Sequence, residues 1–243
     1  MRFEGKTVIV TGAGSGIGQA VTQQLLEEGA TVYGLDIRVD GVPDGAGRLE
    51  TNIADETAVR RAVAKVIADT GQVDVLCNLA GIAVEGDPVD TSLDDWERSF
   101  AVNVRGVFLA TQAVLPHMIE RRVGSIVNAG STAAQIGIPN RTAYCASKGA
   151  VEAFTRQVAV EYAGVGVRCN AVSPGPVDSP MVQAIYARSA DPEAARVKNA
   201  ARVPVGRLAR PEEIAGAILY LASDEAGFVT GAALSIDGGL VAG

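Results

Sequence analysis

Residues 7–18, which read TVIVTGAGSGIG, decide the fold of this chain. The first four side chains are all β-branched, which is typical of a buried strand. A glycine-rich turn follows, and the pattern over residues 17–28 predicts a helix. A strand that turns directly into a helix leaves the backbone N–H groups of the helix N-terminus free to bind a phosphate. The stretch therefore predicts a nucleotide-binding βα unit.

The glycines of this turn have the spacing G-x-x-x-G-x-G rather than G-x-G-x-x-G. Gly12 permits the tight turn, Gly16 lets the backbone approach a pyrophosphate, and Gly18 lets the helix pack closely on the strand. Ser15 and Ile17 lie between them, and we include both in the predicted cofactor loop. Glycine clusters also mark ordinary loops, so the position between a strand and a helix carries the prediction.

Short β-branched runs alternate with helical patterns along the rest of the chain. Further strands are predicted at 31–35, 48–51, 73–77, 125–128, 167–172 and 232–236. Helices are predicted at 55–70, 142–163 and 211–222, with a long helical region before the fifth strand. Apolar strands separated by helices indicate right-handed crossovers. The predicted fold class is α/β, a single doubly wound, Rossmann-like parallel sheet with helices on both faces, in one domain over residues 1–243.

Two segments interrupt this alternation. Residues 39–47 hold Pro43 and several glycines, so we expect the helix between the second and third strands to be shortened or absent. Residues 178–204 form a polar-rich insertion, which is uncommon in a compact domain unless it has a function. We predict a substrate lid at about 178–204. Its apolar face would consist of Met181, Val182, Ile185 and Tyr186.

The composition argues against several classes of protein. With 243 residues, 48% of them hydrophobic, the chain can bury a substantial core, and its net charge of −7 disfavours nucleic acid as a partner. Cys77, Cys145 and Cys169 show no spacing typical of a disulfide framework or a zinc site, and we predict no metal. No stretch approaches the about 18 apolar residues of a membrane span, and the N-terminus lacks an apolar signal region. We expect a cytoplasmic protein with no membrane partner.

Asp36 follows the second predicted strand, where a carboxylate can accept hydrogen bonds from both hydroxyls of an adenosine ribose. The same charge would repel a 2′-phosphate. Ser15, rather than an arginine, stands at the loop position where a cation could meet that phosphate, although Arg38 lies nearby. The sequence therefore favours NAD, with NADP the less favoured cofactor.

Tyr144 and Lys148 are four residues apart in a predicted helix and so share one face. A free tyrosine has a pKa near about 10, and a nearby cation lowers the pKa of a phenol toward the range that acid–base catalysis needs. Ser131 follows the fifth strand, at the carboxyl edge where open α/β sheets bind their ligands. A tyrosine and a lysine with this spacing usually belong to a solvated helix face. The combination of the pair with the glycine loop and Ser131 instead indicates a catalytic site.

With these motifs the chain resembles the short-chain dehydrogenase/reductase family along its whole length. The resemblance implies that Tyr144 is the general acid–base and that Lys148 lowers its pKa and holds the nicotinamide ribose. It implies that Ser131 orients the substrate oxygen and that Asn103 keeps a water in a proton relay. The implied reaction passes a hydride directly between a secondary alcohol and the nicotinamide, while Tyr144 takes or gives the proton.

The resemblance also implies further cofactor contacts. Asn78-Leu79-Ala80-Gly81 resembles the family's N-N-A-G segment, with Leu79 in place of the second asparagine. Residues 174–179, PGPVDS, resemble the segment beside the nicotinamide, with Ser179 as the hydroxyl that could hold the carboxamide. The residues expected to contact the cofactor in these regions are Asn52, Ile53, Asn78, Ala80, Gly81, Pro174, Gly175, Val177 and Ser179.

The predicted substrate is a small or medium, mostly apolar secondary alcohol or ketone, since no cation is obviously placed to hold a carboxylate or phosphate. Two alternatives remain open: an NADPH-dependent 3-oxoacyl-thioester reductase, and a non-catalytic nucleotide-binding interaction protein. The family resemblance implies a homotetramer, with the 142–163 helix and the C-terminal strand at its interfaces.

Overall fold

A computed structural model describes residues 1–242 and contains a seven-stranded parallel sheet. The strands are β1 Thr7–Thr11, β2 Thr31–Asp36, β3 Gly47–Glu50, β4 Val75–Asn78, β5 Gly124–Ala129, β6 Val167–Pro174 and β7 Ala233–Ile236. Their order in the sheet is β3-β2-β1-β4-β5-β6-β7. The order reverses between β1 and β4, and in open α/β sheets this switch point opens a crevice at the carboxyl edge. The predicted doubly wound, Rossmann-like fold is confirmed.

Eight α-helices lie between these strands in the described part of the chain. They are α1 Gly16–Glu27, α2 Glu56–Thr70, α3 Leu93–Phe100, α4 Gly106–Arg121, α5 Thr142–Tyr162, α6 Pro180–Tyr186, α7 Pro192–Ala200 and α8 Pro211–Ala222. The long helical region predicted before β5 consists of α3 and α4, joined by a π-helical turn at Ala101–Arg105. None of the helices in residues 1–242 combines the length and the apolar character that crossing a membrane requires.

Alternate side chains of the central strands pack into different layers, because successive residues of a strand face opposite sides of a sheet. Val8 and Val10 pack with α1 and α8, whereas Ile9, between them, packs on the other face with α2, α4 and α5. All three are fully buried. The apolar runs that predicted buried strands thus fill two cores, one on each side of the sheet.

Local signals set several boundaries. The Asp55 carboxylate accepts the Ala58 N–H at 3.1 Å and caps α2. Between β2 and β3 the chain forms only a 3-10 turn at Val39–Gly41, which confirms that the crossover helix is missing. The 178–204 insertion contains two short helices, α6 and α7, each with a proline in its first turn.

Candidate active site

A cleft of about 390 Å³ opens at the carboxyl edge of the sheet. The predicted site residues that line it are Gly12, Ser15, Gly16, Ile17, Gly18, Asp36, Asn52, Ile53, Ala80, Gly81, Ser131, Tyr144, Lys148, Pro174, Gly175, Val177 and Ser179. Met181 and Val182, predicted as part of the lid, line it as well. Residues outside the predicted set that also line it are Leu35, Ile37, Arg38, Thr51, Leu79, Ile82, Val102, Ala129, Gly130 and Pro180. Most of these lie at or just after the ends of β2 to β5, a position that the strand pattern alone could have indicated.

The glycine loop packs so tightly at Gly12 and Gly18 that a side chain is excluded from these two positions. A Cβ added to Gly18 would lie 2.0 Å from the carbonyl oxygen of Gly12, so the first turn of α1 rests directly on the loop. Gly12 itself has φ +71, a left-handed conformation that glycine adopts without strain. The close helix–strand packing expected from Gly18 is therefore present.

Asp36 is connected to the same loop by its carboxylate. One carboxylate oxygen accepts the Gly14 N–H at 2.9 Å, and the other accepts the Arg38 N–H at 3.0 Å. A Cβ on Gly14 would lie 2.5 Å from the Arg38 carbonyl oxygen. The motif spacing gave no role to Gly14, yet this glycine is what allows the loop to approach the end of β2.

The α5 helix carries Tyr144 and Lys148 to the floor of the cleft. Lys148 is 5% exposed, and its ammonium donates to the Ala129 carbonyl at 2.7 Å. The same ammonium lies 5.7 Å from the centre of the Tyr144 ring. Ser131, buried at the start of the turn after β5, is within hydrogen-bonding reach of the Tyr144 phenol. The tyrosine–lysine pair of α5 and the serine that follows β5, predicted from separate stretches of sequence, therefore meet in one place.

Burial dominates the electrostatics of these groups. It raises the pKa of Tyr144, while the hydrogen bond from Ser131 and the charge of Arg141 act in the opposite direction. Burial also lowers the pKa of Lys148 to about 8. The net direction for Tyr144 differs from the expectation that Lys148 would lower its pKa, because desolvation of the phenol outweighs the neighbouring charges.

Asn103 is fully buried in the π-helical turn, behind the cleft wall. Its Oδ1 accepts the Ile82 N–H at 2.8 Å, and its Nδ2 donates to the Ile82 carbonyl at 2.9 Å and to the Ser147 hydroxyl at 3.0 Å. The Ser147 hydroxyl in turn donates to the Tyr144 carbonyl at 2.8 Å. Asn103 therefore links the loop after β4 to the helix that carries Tyr144, with both of its amide hydrogens in use.

Asn78 is the predicted contact that the structure places elsewhere. Its side chain is 1% exposed and donates to Asn128 at 2.9 Å and to Thr111 at 3.2 Å, inside the core rather than in the cleft. The side chain of this β4 residue points along the sheet normal, whereas the loop after the strand reaches the cleft, so the contact expected of the 78–81 segment is left to its backbone. That loop is held by the Thr11 hydroxyl, which accepts the N–H groups of Leu79 and Ala80 at 3.0 and 3.1 Å.

The 178–204 insertion contributes only part of its predicted apolar face to the cleft. Met181 and Val182 line the cleft, next to Ser179, whose hydroxyl caps α6. Tyr186 is buried between the two helices instead, and its hydroxyl accepts a hydrogen bond from Asn199 at 2.7 Å. The helical spacing predicted one apolar stripe facing the cleft. Tyr186, at the end of that stripe, instead packs between α6 and α7.

These residues fit a nicotinamide dinucleotide. The glycine loop presents backbone at the N-terminus of α1, where a pyrophosphate binds without a cation. The Asp36 carboxylate lies in the part of the cleft that suits the adenosine ribose. Tyr144, Lys148 and Ser131 lie in the part of the cleft where the nicotinamide would react. Within residues 1–242, the His, Cys, Asp and Glu side chains form no group of three suited to a metal ion.

Comparisons with known proteins agree with this geometry. A family model described as enoyl-(acyl carrier protein) reductase matches residues 12–241. The chain is 42% identical to the 3-oxoacyl-(acyl-carrier-protein) reductase of Thermotoga maritima over 99% of this chain and 100% of that protein. It is also 42% identical to 2-(S)-hydroxypropyl-CoM dehydrogenase 3 of Xanthobacter autotrophicus, over 99% of this chain and 98% of the relative. The chain belongs to the short-chain dehydrogenase/reductase family.

A solved structure shows the same likeness in three dimensions. The aldohexose dehydrogenase of Thermoplasma acidophilum superposes with a TM-score of 0.94 at 35% identity, covering 99% of this chain and 95% of that one. As a short-chain dehydrogenase/reductase, the protein is an oxidoreductase that acts on CH–OH groups and interconverts a secondary alcohol and its ketone. The alternative of a non-catalytic interaction protein is thereby set aside.

Proposed function

We propose that this short-chain dehydrogenase/reductase is an NAD-dependent dehydrogenase of secondary alcohols in which Tyr144 transfers the proton. The observation that carries the proposal is the meeting of Tyr144, Lys148 and Ser131 at the floor of the cleft that the glycine loop also lines. When bound, the nicotinamide accepts the hydride from the carbinol carbon in oxidation and returns it in reduction. The chain supplies position and proton transfer.

Each of the three side chains has a distinct part in this proposal. The Ser131 hydroxyl hydrogen-bonds the substrate oxygen and holds it against the Tyr144 phenol. In oxidation, the Tyr144 phenolate takes the alcohol proton, and in reduction the protonated phenol returns it. The Lys148 ammonium stabilises the phenolate and binds the nicotinamide ribose. Burial raises the pKa of Tyr144, and the Ser131 hydrogen bond and the Arg141 charge, which act to lower it, favour the phenolate.

Asn103 acts as a positioning residue in this scheme. Its amide hydrogens are used by Ile82 and Ser147, so the side chain fixes the π-helical turn. π-Helical turns shift the backbone hydrogen-bond ladder by one residue and occur often at functional sites. We propose that Asn103 takes part in a proton relay through its backbone carbonyl, because its side chain is already hydrogen-bonded.

The charge distribution around Asp36 supports NAD rather than NADP. A carboxylate held by two backbone N–H groups stays aligned for ribose hydroxyls and repels a 2′-phosphate. Ser15 occupies the facing position in the loop and carries no charge. Arg38, whose side chain is exposed, is the nearest cation that could offset this preference.

The 178–204 segment is proposed as a lid over the substrate. Met181 and Val182 bring apolar side chains to the cleft from α6, opposite the Tyr144 floor. Met181 is 39% exposed, so its side chain can be covered further when a substrate binds. This wall favours a small or medium apolar group beside the carbinol carbon.

A 3-oxoacyl-thioester reductase is the second candidate, and the relative from Thermotoga maritima favours it. A carrier protein is acidic as a class, and Arg121-Arg122 would be a basic contact for it. Arg121 instead donates to the buried Asp74 carboxylate at 2.9 Å, inside the fold. Because the Asp36 carboxylate also disfavours NADPH, the dehydrogenase remains the better supported function.

Exposed apolar faces support the proposed homotetramer. Trp96, Phe108 and Phe154 line a groove of about 610 Å³ on α3, α4 and α5. Phe228 is completely exposed beside β7, an edge strand whose residues are all half-buried. Contiguous apolar surfaces of this kind mark protein interfaces. We also propose a cytoplasmic location, since Cys77, Cys145 and Cys169 are all free thiols.

The proposed function is tested by titrating the protein with NADH and with NADPH, following nicotinamide fluorescence, and then assaying NAD-linked oxidation of secondary alcohols. Tight binding of NADH with turnover of a secondary alcohol supports it. Preferential binding of NADPH with reduction of a 3-oxoacyl thioester would favour the second candidate. Binding of neither cofactor would contradict both.

A further inference from the structure

A charged cluster near Tyr144 has no assigned role in binding the substrate. Arg141 Nη1 lies 3.0 Å from one carboxylate oxygen of Glu85, and Arg188 Nη1 lies 3.7 Å from the other. Glu85 follows the cleft-lining Ile82 by three residues, Arg141 precedes Tyr144 by three, and Arg188 follows α6. The loop after β4, the catalytic helix and the lid segment therefore meet at one carboxylate.

The two arginines differ in how firmly they are held. The Arg141 side chain is 14% exposed, and its Nη1 also donates to the Asn140 carbonyl at 2.8 Å. Its backbone pairs with Gly86 in a short parallel bridge. The Arg188 side chain is 68% exposed and makes only the longer contact. One cation is thus held by two polar contacts, while the other is largely exposed to solvent.

The cluster has unused binding capacity. Two guanidinium groups and one carboxylate leave a net charge of +1, on a chain whose overall charge is −7. A guanidinium has five N–H donors, and only one nitrogen of each arginine contacts Glu85. Arg141 is the N-cap residue of α5, three positions before Tyr144, and its charge acts to lower the pKa of the Tyr144 phenol, so the two side chains lie near each other. A ligand that reaches Tyr144 can therefore extend to these cations.

We propose that Arg141 and Arg188 bind a carboxylate or sulfonate on the substrate, so that the substrate is a secondary alcohol or ketone with an anionic tail. This inference rests on the proposed function. Planar guanidinium groups form paired, charge-assisted hydrogen bonds with such oxyanions. Glu85 keeps the two arginines in place, and the anion adds a contact that draws the lid toward the catalytic helix.

The test measures binding without turnover. The NADH complex of the full chain is titrated by calorimetry with 3-hydroxybutyrate, 3-hydroxybutane-1-sulfonate and the neutral methyl 3-hydroxybutyrate, none of which can be oxidised by NADH. At least one anion is expected to bind about tenfold or more tightly than the ester. Arg188→Gln and Arg141→Gln should each remove most of that preference. Arg196→Gln, an exposed arginine of α7 that contacts Glu193 at 3.5 Å, is the matched control and should retain it.

The outcomes separate the competing explanations. The inference is overturned if no probe binds more tightly than the ester, or if the preference survives both arginine substitutions. If the cluster only held the lid segment in place, the substitutions would weaken binding of the ester and of the anions alike. That result would also overturn the inference. Which anion binds more tightly identifies carboxylate or sulfonate as the tail. NADH binding is measured first, because its failure would contradict the proposed function itself.

Discussion

The ammonium of Lys148 donates a hydrogen bond to the carbonyl oxygen of Ala129, the last residue of β5, at 2.7 Å. This bond joins the catalytic helix to the strand end from which Ser131 projects. It also gives the buried ammonium a fixed partner, although burial still lowers the pKa of Lys148 to about 8. The position of Lys148 is therefore set by the sheet as well as by the helix.

Replacing Lys148 by methionine should lower kcat/KM by about 10²-fold or more, since proton transfer by a positioned group contributes at least that much. The substitution removes the charge next to Tyr144 and the bond to Ala129. Steady-state rates of the variant measure the effect. Lys65→Met, at an exposed lysine of α2 paired with Asp69, is the control and should leave the rate unchanged. Equal rates for Lys148→Met and the wild type would exclude the proposed role.

Replacing Asp36 by asparagine should shift the NADH-to-NADPH affinity ratio toward NADPH by about tenfold or more, because the charge that repels a 2′-phosphate is lost while an acceptor remains. Fluorescence titrations with both cofactors measure the ratio. Asp40→Asn, at an exposed aspartate four residues later, should leave it unchanged. An unaltered ratio in Asp36→Asn would assign cofactor choice to other residues, with Arg38 the first to examine.

Gly14→Ala should weaken NADH binding by about tenfold or more, because a Cβ at this position would lie 2.5 Å from the Arg38 carbonyl oxygen and displace the loop. Fluorescence titration measures the affinity, and circular dichroism checks the fold. A Cβ on Gly137 would meet nothing within 4 Å, so Gly137→Ala serves as the control. Unchanged NADH affinity in Gly14→Ala would show that the loop can shift without cost.

The hydrogen bonds of Glu213 predict that the stability of the folded protein depends on pH. Its carboxylate accepts two hydrogen bonds from Arg207, at 2.7 and 2.8 Å, and one from the Arg210 N–H at 2.8 Å. These bonds lower the pKa of Glu213 to about 2 from an ordinary value of 4.5. A carboxyl with a lowered pKa in the folded state stabilises the fold above its unfolded-state pKa and loses that effect as the pH falls.

Glu213→Gln should therefore lower Tm at pH 7, and the difference from the wild type should shrink as the pH falls from about 4.5 to about 2. Differential scanning calorimetry across this range measures it. Glu212→Gln, in the same first turn of α8 but exposed, controls for the helix dipole. A difference in Tm that stays constant with pH would show that the side chain contributes through packing rather than charge.

The sequence predicted the parts of the fold that depend on local pattern. The apolar run before Gly12 marked β1, Asp55 marked the start of α2, and the lack of a helical pattern around Pro43 indicated the missing crossover helix. The carboxyl-edge position of Ser131 followed from the parallel topology. Each of these depends on neighbours within a few residues or on a rule of sheet connection.

Contacts between distant segments were not predictable in the same way. Gly14 has its role only because Arg38 and Asp36 return to it after β2. Tyr186 has the helical spacing of a cleft residue, yet it packs against α7 through Asn199. The direction of the Tyr144 pKa depends on how deeply the phenol is buried, which no spacing of residues reveals.

The assignment of proton transfer to Tyr144 is tested most directly by Tyr144→Phe, measured for NADH affinity and for oxidation of a secondary alcohol by NAD. The variant should bind NADH as the wild type does, while its kcat falls by about 10²-fold or more because no group remains to take the proton. In the wild type, oxidation should speed up with rising pH and reduction should slow down, since only the phenolate accepts a proton and only the phenol donates one. Retention of wild-type kcat by Tyr144→Phe would contradict the assignment of proton transfer to this side chain.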